Sequence, residues 1–213
     1  MKKFKYLIIG LIVLSFIVTG VSFLFLDGTI PTHIGINGKP DQYGSKYFLI
    51  IFPIVATLVG GTMLLVARYG KVSDNYKKYM LLTGVIIEAL FAATVLIFSI
   101  YAISYTEDTP AFDISKVILL IVGVLFIILG NFLPKIEKNR TLGIKTKWSM
   151  YNEVTWQKTH RFAGFASIIM GFLLLITSLL FKEMVNFIIF ISLLAIFMIV
   201  TTIASYKYYQ QEK

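Results

Sequence analysis

The chain has little charge and no cysteine. Only 15% of its 213 residues are Asp, Glu, Lys or Arg, whereas soluble domains carry roughly 25%. The absence of cysteine excludes disulfides and thiolate metal sites. Hydrophobic residues make up 57% of the chain, and the mean hydropathy is +0.81. This composition is typical of membrane proteins.

Signatures of catalysis are also missing from the sequence. It contains no Gly-rich phosphate loop, no HExxH zinc motif and no nucleophilic serine elbow. Of the two histidines, His33 shares a polar segment with Asp41, but two side chains without a third partner do not make a metal site. The sequence therefore indicates neither an enzyme nor a cofactor or metal site.

Six apolar runs divide the chain, and each is long enough to cross a hydrocarbon core of ~30 Å. They cover residues of about 6–26, 47–66, 80–103, 116–133, 162–181 and 185–206. The predicted fold class is therefore all-α, a polytopic membrane protein with six transmembrane helices. Pro53 lies inside the second run and predicts a kink, which membrane helices tolerate.

The basic residues are distributed very unevenly among the connections. Sixteen of the twenty Lys and Arg residues lie at the N-terminus, in 68–79, in 130–161 and in the C-terminal tail, and the other three connections hold four. Because cytoplasmic loops carry an excess of Lys and Arg, both termini are predicted to be cytoplasmic. The net charge of +9 then has a membrane explanation and does not indicate direct binding of nucleic acid.

Two regions are predicted on this plan. Residues 1–67 form an N-terminal two-helix unit with an extracellular loop at 27–46, and residues 68–213 form a four-helix region with a cytoplasmic loop at 130–161. In the extracellular loop, prolines exclude a continuous helix, and Asn37-Gly38 is a strong turn signal. We expect this loop to be compact and rich in turns.

Glu88 is an acid inside the third apolar run, near the middle of the hydrocarbon core. A charged side chain there is costly and marks a functional site by default. Two alternatives stay open at this point. The acid is neutral and hydrogen-bonded to Ser, Thr or Tyr of a neighbouring helix, or it handles ions or protons.

The signature segment, residues 130–161, contains both tryptophans and seven of the twenty Lys and Arg residues. From Ser149 up to the fifth apolar run it predicts a short helix, with Trp148 on one face and Trp156 and His160, four residues apart, on the next. One alternative is an interfacial helix with tryptophans at the lipid headgroups and lysines toward anionic lipid. The other is a segment used in protein function.

The signature segment resembles the SdpI family of bacterial integral membrane immunity proteins. The matching residues are Gly130-Asn131, Pro134-Lys135, Asn139, Gly143-Ile144, Thr146, Trp148, Trp156 and Thr159-His160-Arg161. The segment departs from the family pattern at Lys145 and Lys147, where Arg and Pro are usual, and at Ser149, which replaces a Thr. The change from Arg to Lys loses a planar bidentate donor, which matters for any role that needs one at Lys145.

The loop at 27–46 carries a second match to the same family. Its residues are Pro31, His33, Gly38, Lys39-Pro40-Asp41, Gly44 and Lys46. Together with the six-helix plan, the two motifs cover nearly the whole chain and occur in the family's order.

The resemblance implies a multi-pass protein of the bacterial cytoplasmic membrane that protects the producing cell against a secreted toxic peptide. It also implies a possible signalling role, in which the protein holds a cytoplasmic transcriptional repressor at the membrane. The expected partners are thus the peptide toxin, the lipid bilayer and, for a member that signals, the repressor, and the family has no associated cofactor or enzymatic reaction.

The site residues fall into two groups on this interpretation. The toxin-facing candidates are Pro31, His33, Gly38, Asp41 and Lys46. The cytoplasmic signature consists of Asn131, Asn139, Gly143, Lys145, Thr146, Trp148, Trp156, His160 and Arg161. The alternative from another class is a small proton-coupled transporter that uses Glu88, for which inverted repeats and matching broken helices are expected. A membrane-embedded enzyme is the weakest alternative, because Glu88 has no second acid beside it.

Reporter fusions test the predicted topology directly. A fusion at Gly38 is expected to report the outside and a fusion at Thr141 the cytoplasm, because the basic residues cluster in the connections on the side of Thr141. Alkaline phosphatase and fluorescent-protein reporters at both positions measure this. The same compartment for both fusions would contradict the six-helix topology.

Overall fold

The computed structural model describes residues 1–35, 39–70, 73–105, 112–139 and 142–213. In this part of the chain, six helices are long and apolar enough to cross a membrane, as predicted from the apolar runs. They are α1 Lys2–Ser22, α2 Ile51–Tyr69, α3 Asp74–Ser104, α4 Ile114–Phe132, α5 Glu153–Leu180 and α6 Glu183–Glu212. Their orientation across the membrane stays a prediction.

Two helices begin well before the apolar run that predicts them. At the start of α3, the Ser73 hydroxyl accepts a hydrogen bond of 3.0 Å from the Tyr76 amide. At the start of α5, Asn152 and Thr155 form a reciprocal capping box. Such caps satisfy the free amides of a first helical turn. Hydropathy marks the lipid-facing length of a helix, whereas capping residues set where the helix starts.

One local prediction is wrong in position. The helix predicted from Ser149 begins only at Glu153, because residues 148–151 form a turn that ends at the Asn152 cap. Pro53 is the third residue of α2, which directly follows a 3-10 helix at Lys46–Ile50, and the kink stays a prediction.

A β-hairpin, not irregular turns, occupies most of the first loop, so the all-α prediction is incomplete. Its strands are β1 Thr29–Ile34 and β2 Pro40–Ser45, which pair antiparallel with Thr29 opposite Ser45. Strand β1 is rich in β-branched residues, which favour extended backbone. The turn signal at 37–38 lies outside the described residues.

The chain divides into two compact units, Met1–Ser115 and Lys116–Lys213. The first contains α1, the hairpin, α2 and α3, and the second contains most of α4 with α5 and α6. The sequence-based division after residue 67 separates the family-like region from the N-terminal helices, and it stays a prediction.

In the first unit, the hairpin is anchored on an apolar cluster. Ile30 of β1 is buried with Leu26, which follows α1, and Leu49, which lies in the 3-10 turn before α2. Aromatic side chains from α2 and α3, Phe52 and Phe98, pack against the same cluster. The hairpin is therefore fixed to the helix ends by hydrophobic burial.

In the second unit, α4 and α5 approach closely through paired glycines. A Cβ atom added to Gly130 would lie 2.6 Å from the Gly164 carbonyl oxygen, and one added to Gly171 would lie 2.5 Å from that of Gly123. Between these pairs, the Ser167 hydroxyl donates to the Phe126 carbonyl at 3.0 Å. Small residues of this kind allow membrane helices to pack backbone against backbone.

Candidate functional site

His33 and Asp41, two of the residues predicted to face a toxin, lie on facing strands of the hairpin. His33 Nδ1 and Asp41 Oδ1 are 2.5 Å apart, and the two side chains are 58% and 53% exposed. Among the described residues, no group of three or more His, Cys, Asp or Glu could hold a metal ion. The pair orders the hairpin while remaining accessible from solvent. Pro31 is buried, opposite Tyr43 in the strand register.

Lys46 has a structural function that sequence reasoning missed. Its Nζ donates hydrogen bonds of 3.0 Å to the carbonyl oxygens of Phe23 and Leu26, directly after α1. The last carbonyls of a helix lack intrahelical partners, and basic side chains stabilise them. Lys46 thus fastens the end of the hairpin to the end of α1. Gly38, the remaining candidate in this loop, lies outside the described residues.

Glu88 lies fully buried in the first unit. A Cβ atom added to Gly60 of α2 would lie 2.7 Å from Glu88 Oε1 and 2.9 Å from Ile12 Cδ1 of α1, so the carboxyl fills the space that glycine leaves. Neither carboxyl oxygen has a hydrogen-bond partner among the described residues. A hydrogen bond to Ser, Thr or Tyr of a neighbouring helix, which sequence analysis offered as one alternative, is therefore not found there, and the Gly60 backbone is the polar group beside the carboxyl. A buried polar group without a partner is costly.

His160 is the centre of the signature segment. The Ile144 amide donates to His160 Nε2 at 3.0 Å, so that nitrogen carries no proton and Nδ1–H donates to the Trp156 carbonyl at 2.9 Å. Gly143 has φ +100°, and a Cβ atom there would overlap with His160 Nε2. Glycine is the residue that adopts this backbone conformation freely. His160 therefore holds the loop by accepting a backbone hydrogen bond.

Trp156 holds the loop from its other side, and we call the interlocked residues Gly143, Trp156 and His160 the clasp. Its indole Nε1 donates to the Ile136 carbonyl at 2.7 Å, and its ring stacks on His160 with centroids 3.9 Å apart. Trp156 is fully buried, so the interfacial alternative is wrong for this tryptophan. The predicted spacing of Trp156 and His160 on one helix face is confirmed.

Thr146 and Ser149 form a reciprocal pair of hydrogen bonds in the segment. The Thr146 amide donates to Ser149 Oγ, and the Ser149 amide donates to Thr146 Oγ1, both at 2.9 Å. Thr146 Oγ1 also lies 2.6 Å from Ser205 Oγ of α6. Ser149, which stands where the family pattern has Thr, thus keeps the hydroxyl that this pair of hydrogen bonds requires.

An aromatic strip connects the segment to the end of α6. Trp148 contacts Tyr206 edge to face at 5.1 Å between centroids, and Tyr151 contacts Tyr209 at 4.9 Å. Lys147 Nζ lies 5.1 Å from the centre of the Trp148 ring. Trp148 lies in the turn before α5 and not on the predicted helix face. It is partly exposed, as are its neighbours in the strip.

The other signature residues are peripheral to the clasp. Asn139 Oδ1 accepts a hydrogen bond of 2.6 Å from the Leu142 amide and shapes the approach to Gly143. Asn131 binds the Ile127 carbonyl of its own helix at 2.9 Å. Lys145 and Arg161 are exposed. The signature therefore combines buried residues that fold the segment with exposed cations at its surface.

These features define a multi-pass membrane protein of six helices with a folded polar segment before α5. Residues 135–205 match the model of the SdpI/YfhL protein family, a span that includes both the clasp and Ser205. Residues 10–57, from α1 through the hairpin into α2, match a domain of unknown function, DUF1648. The match to the SdpI/YfhL model confirms the resemblance to the SdpI family that the motifs indicate.

Similarity to a curated protein extends over nearly the whole chain. The chain is 29% identical over 212 residues to the protein named Immunity protein SdpI from Bacillus subtilis, covering 99% of this chain and 98% of that one. An uncharacterized protein of Archaeoglobus fulgidus is 37% identical over 43 residues, which is 20% of this chain and 24% of that protein. No solved structure matches the chain. The similarity to SdpI supports a role as an immunity protein.

The clasp predicts a strong effect of a small substitution. Gly143→Ala is expected to destabilise the second unit by roughly 1–3 kcal/mol. The new methyl group would overlap His160, and alanine is strained at the backbone φ of +100°. Gly28→Ala is the matched control, since a Cβ atom there meets nothing within 4 Å. Thermal melting in detergent measures both variants, followed by tryptophan fluorescence, because both tryptophans, Trp148 and Trp156, lie in the signature segment. Equal melting temperatures for the two would contradict the clasp.

Proposed function

We propose that this protein protects the bacterium that produces it against a secreted toxic peptide. The observation that carries the proposal is the similarity to Immunity protein SdpI over 99% of the chain. That span includes both the hairpin and the signature segment, so the two regions of this chain that resemble the family are compared in one alignment. The immunity role of the relative is thereby extended to this chain, together with a defined class of ligand.

The proposal includes an orientation in the bacterial cytoplasmic membrane. With both termini in the cytoplasm, sixteen of the twenty Lys and Arg residues lie on the cytoplasmic side. The hairpin then faces outward, where a secreted peptide arrives. Its exposed His33–Asp41 pair and its anchoring by Lys46 support a preformed surface for the peptide, because little backbone ordering is needed on binding.

A signalling role is the finer part of the proposal. In this orientation the signature segment faces the cytoplasm, where it can hold a transcriptional repressor at the membrane. Trp148 and Tyr151, with Lys147 over the Trp148 ring, have the aromatic and basic character common at protein contacts. Lys145 and Arg161 are exposed cations of the same segment. His160 and Trp156 are buried, so we expect them to position this surface and not to touch the repressor.

Separate assays of protection and signalling test this division. Expressed in a sensitive strain, Asp41→Asn is expected to weaken protection, because it weakens the His33 pairing and the negative charge of the hairpin. Arg161→Ala is expected to leave protection intact and to alter repressor binding, because its side chain is exposed in the signature segment. The challenge is the peptide fraction from the producing bacterium's culture medium, and a promoter under the candidate repressor reports signalling.

Membrane abundance of each variant is measured by immunoblot as the control for folding. If Arg161→Ala alone abolishes protection while Asp41→Asn has no effect at equal abundance, the two regions do not divide the functions in this way. If the wild-type chain protects against no secreted peptide, the immunity proposal is wrong.

A small proton-coupled transporter is the second candidate, and one observation favours it. Glu88 is fully buried within the first unit, and both its oxygens lack partners among the described residues. Intramembrane acids of this kind mark ion or proton pathways in many transporters. The sequence has no matching pair of broken helices, which transporters with inverted repeats use.

Replacement of the acid distinguishes the two candidates. Under the immunity proposal, Glu88→Gln is expected to retain abundance and protection, because glutamine has nearly the same shape and keeps a hydrogen-bond donor and an acceptor. Glu153→Gln, an exposed acid in the first turn of α5, is the control. A Glu88→Gln protein that is folded but inactive, with solute uptake by wild-type vesicles, would establish the transporter instead.

A further inference from the structure

A cavity of about 340 Å³ lies at the base of the hairpin in the first unit. It is bounded by the end of α1, both strands and the end of α3. The residues that form its walls include Phe25, Asp27, Ile30, Tyr43, Ile103 and Tyr105. Pro31, one of the toxin-facing candidates, also lines the cavity, whereas these six lie outside the family motifs. Ligand pockets in proteins range from about 300 to 1,000 Å³, so this one has room for one or two side chains of a larger ligand.

The walls of the cavity are held in place by contacts on every side. Ile30 is 1% exposed and belongs to the apolar cluster beneath the hairpin. The hydroxyl oxygens of Tyr43 and Tyr105 lie 3.1 Å apart and connect β2 to the end of α3. The ring of Tyr105 also packs against the buried Tyr101, with 5.7 Å between centroids. The cavity is therefore preformed, which lowers the entropic cost of binding.

The cavity carries a negative charge without a cation of its own. Asp27 is exposed, and no described residue forms an ion pair with it. In sequence, the segments 27–46 and 104–115 of this unit hold five Asp and Glu against two Lys, although the whole chain has a net charge of +9. One of these lysines, Lys46, is bound to backbone carbonyls. An amine or guanidinium group is the complement of this site.

We infer that this cavity is the site that receives the toxic peptide, with an apolar side chain between Ile30 and Ile103 and a Lys side chain or N-terminal amine at Asp27. The inference rests on the proposed function and adds to it the binding site and the chemistry of the ligand. The partner is a peptide segment that is both cationic and apolar. The exposed carboxylate of Asp27 at the cavity attracts such a peptide.

Charge changes on both partners test the site. The probe is the peptide fraction of the producing bacterium, used either untreated or with its amines acetylated. Asp27→Asn in the full-length protein is expected to weaken binding of the peptide to the protein in nanodiscs by about two- to fivefold, as for an exposed ion pair. The peptide concentration that cells carrying this variant survive is expected to fall by the same factor. Thr29→Lys, which places a cation at the exposed edge of the same cavity, is expected to weaken binding at least as much.

Asp74→Asn is the matched control, because Asp74 is an exposed acid at the other end of α3. Acetylation of the peptide is expected to weaken binding to the wild type and to remove the difference between the wild type and Asp27→Asn. If the wild type protects and both cavity variants bind and protect like Asp74→Asn, the cavity is not the site and the immunity proposal stands. If the wild type does not protect, the proposed function fails and this inference fails with it.

Discussion

The ends of membrane helices leave backbone groups without partners, and in a bilayer each such group is costly. Lys46 meets that constraint after α1, where it binds two backbone carbonyls, and His160 of α5 does the same for the Ile144 amide of the preceding loop. These bonds join residues that lie 16 to 23 positions apart along the chain. The hairpin and the signature segment are therefore ordered parts of the fold.

The most characteristic residues of the family signature have a structural role in this chain. Its most distinctive residues, Gly143, Trp156 and His160, interlock with each other and with the backbone. They specify a loop conformation, whereas other motif residues, such as the partly exposed Trp148 and the exposed Arg161, lie at its surface. The signature of this chain therefore has a buried part that fixes the loop and a part that is accessible from outside the protein.

Much of the fold is readable from the sequence, because hydropathy alone reports six helices. The hairpin is not, since its prolines and turn residues hide two short strands. The clasp is only half predictable. The spacing of Trp156 and His160 places them on one helix face, but their partners lie 20 and 16 residues away, at Ile136 and Ile144, and local patterns carry no such information. Likewise, burial of Glu88 follows from its position, whereas its lack of a described partner follows only from the packing of Gly60 and Ile12 around it.

Site-specific photo-crosslinking tests the central claim, that the hairpin side of the protein meets the peptide, most directly. Tyr43 on the hairpin and Tyr151 in the signature segment are matched, with 53% and 49% of their surface exposed. A photoreactive phenylalanine at each position, in cells treated with the secreted peptide fraction, reports which one lies beside the peptide. We predict a crosslinked product from position 43 and none from position 151. A product from position 151 alone would contradict the claim.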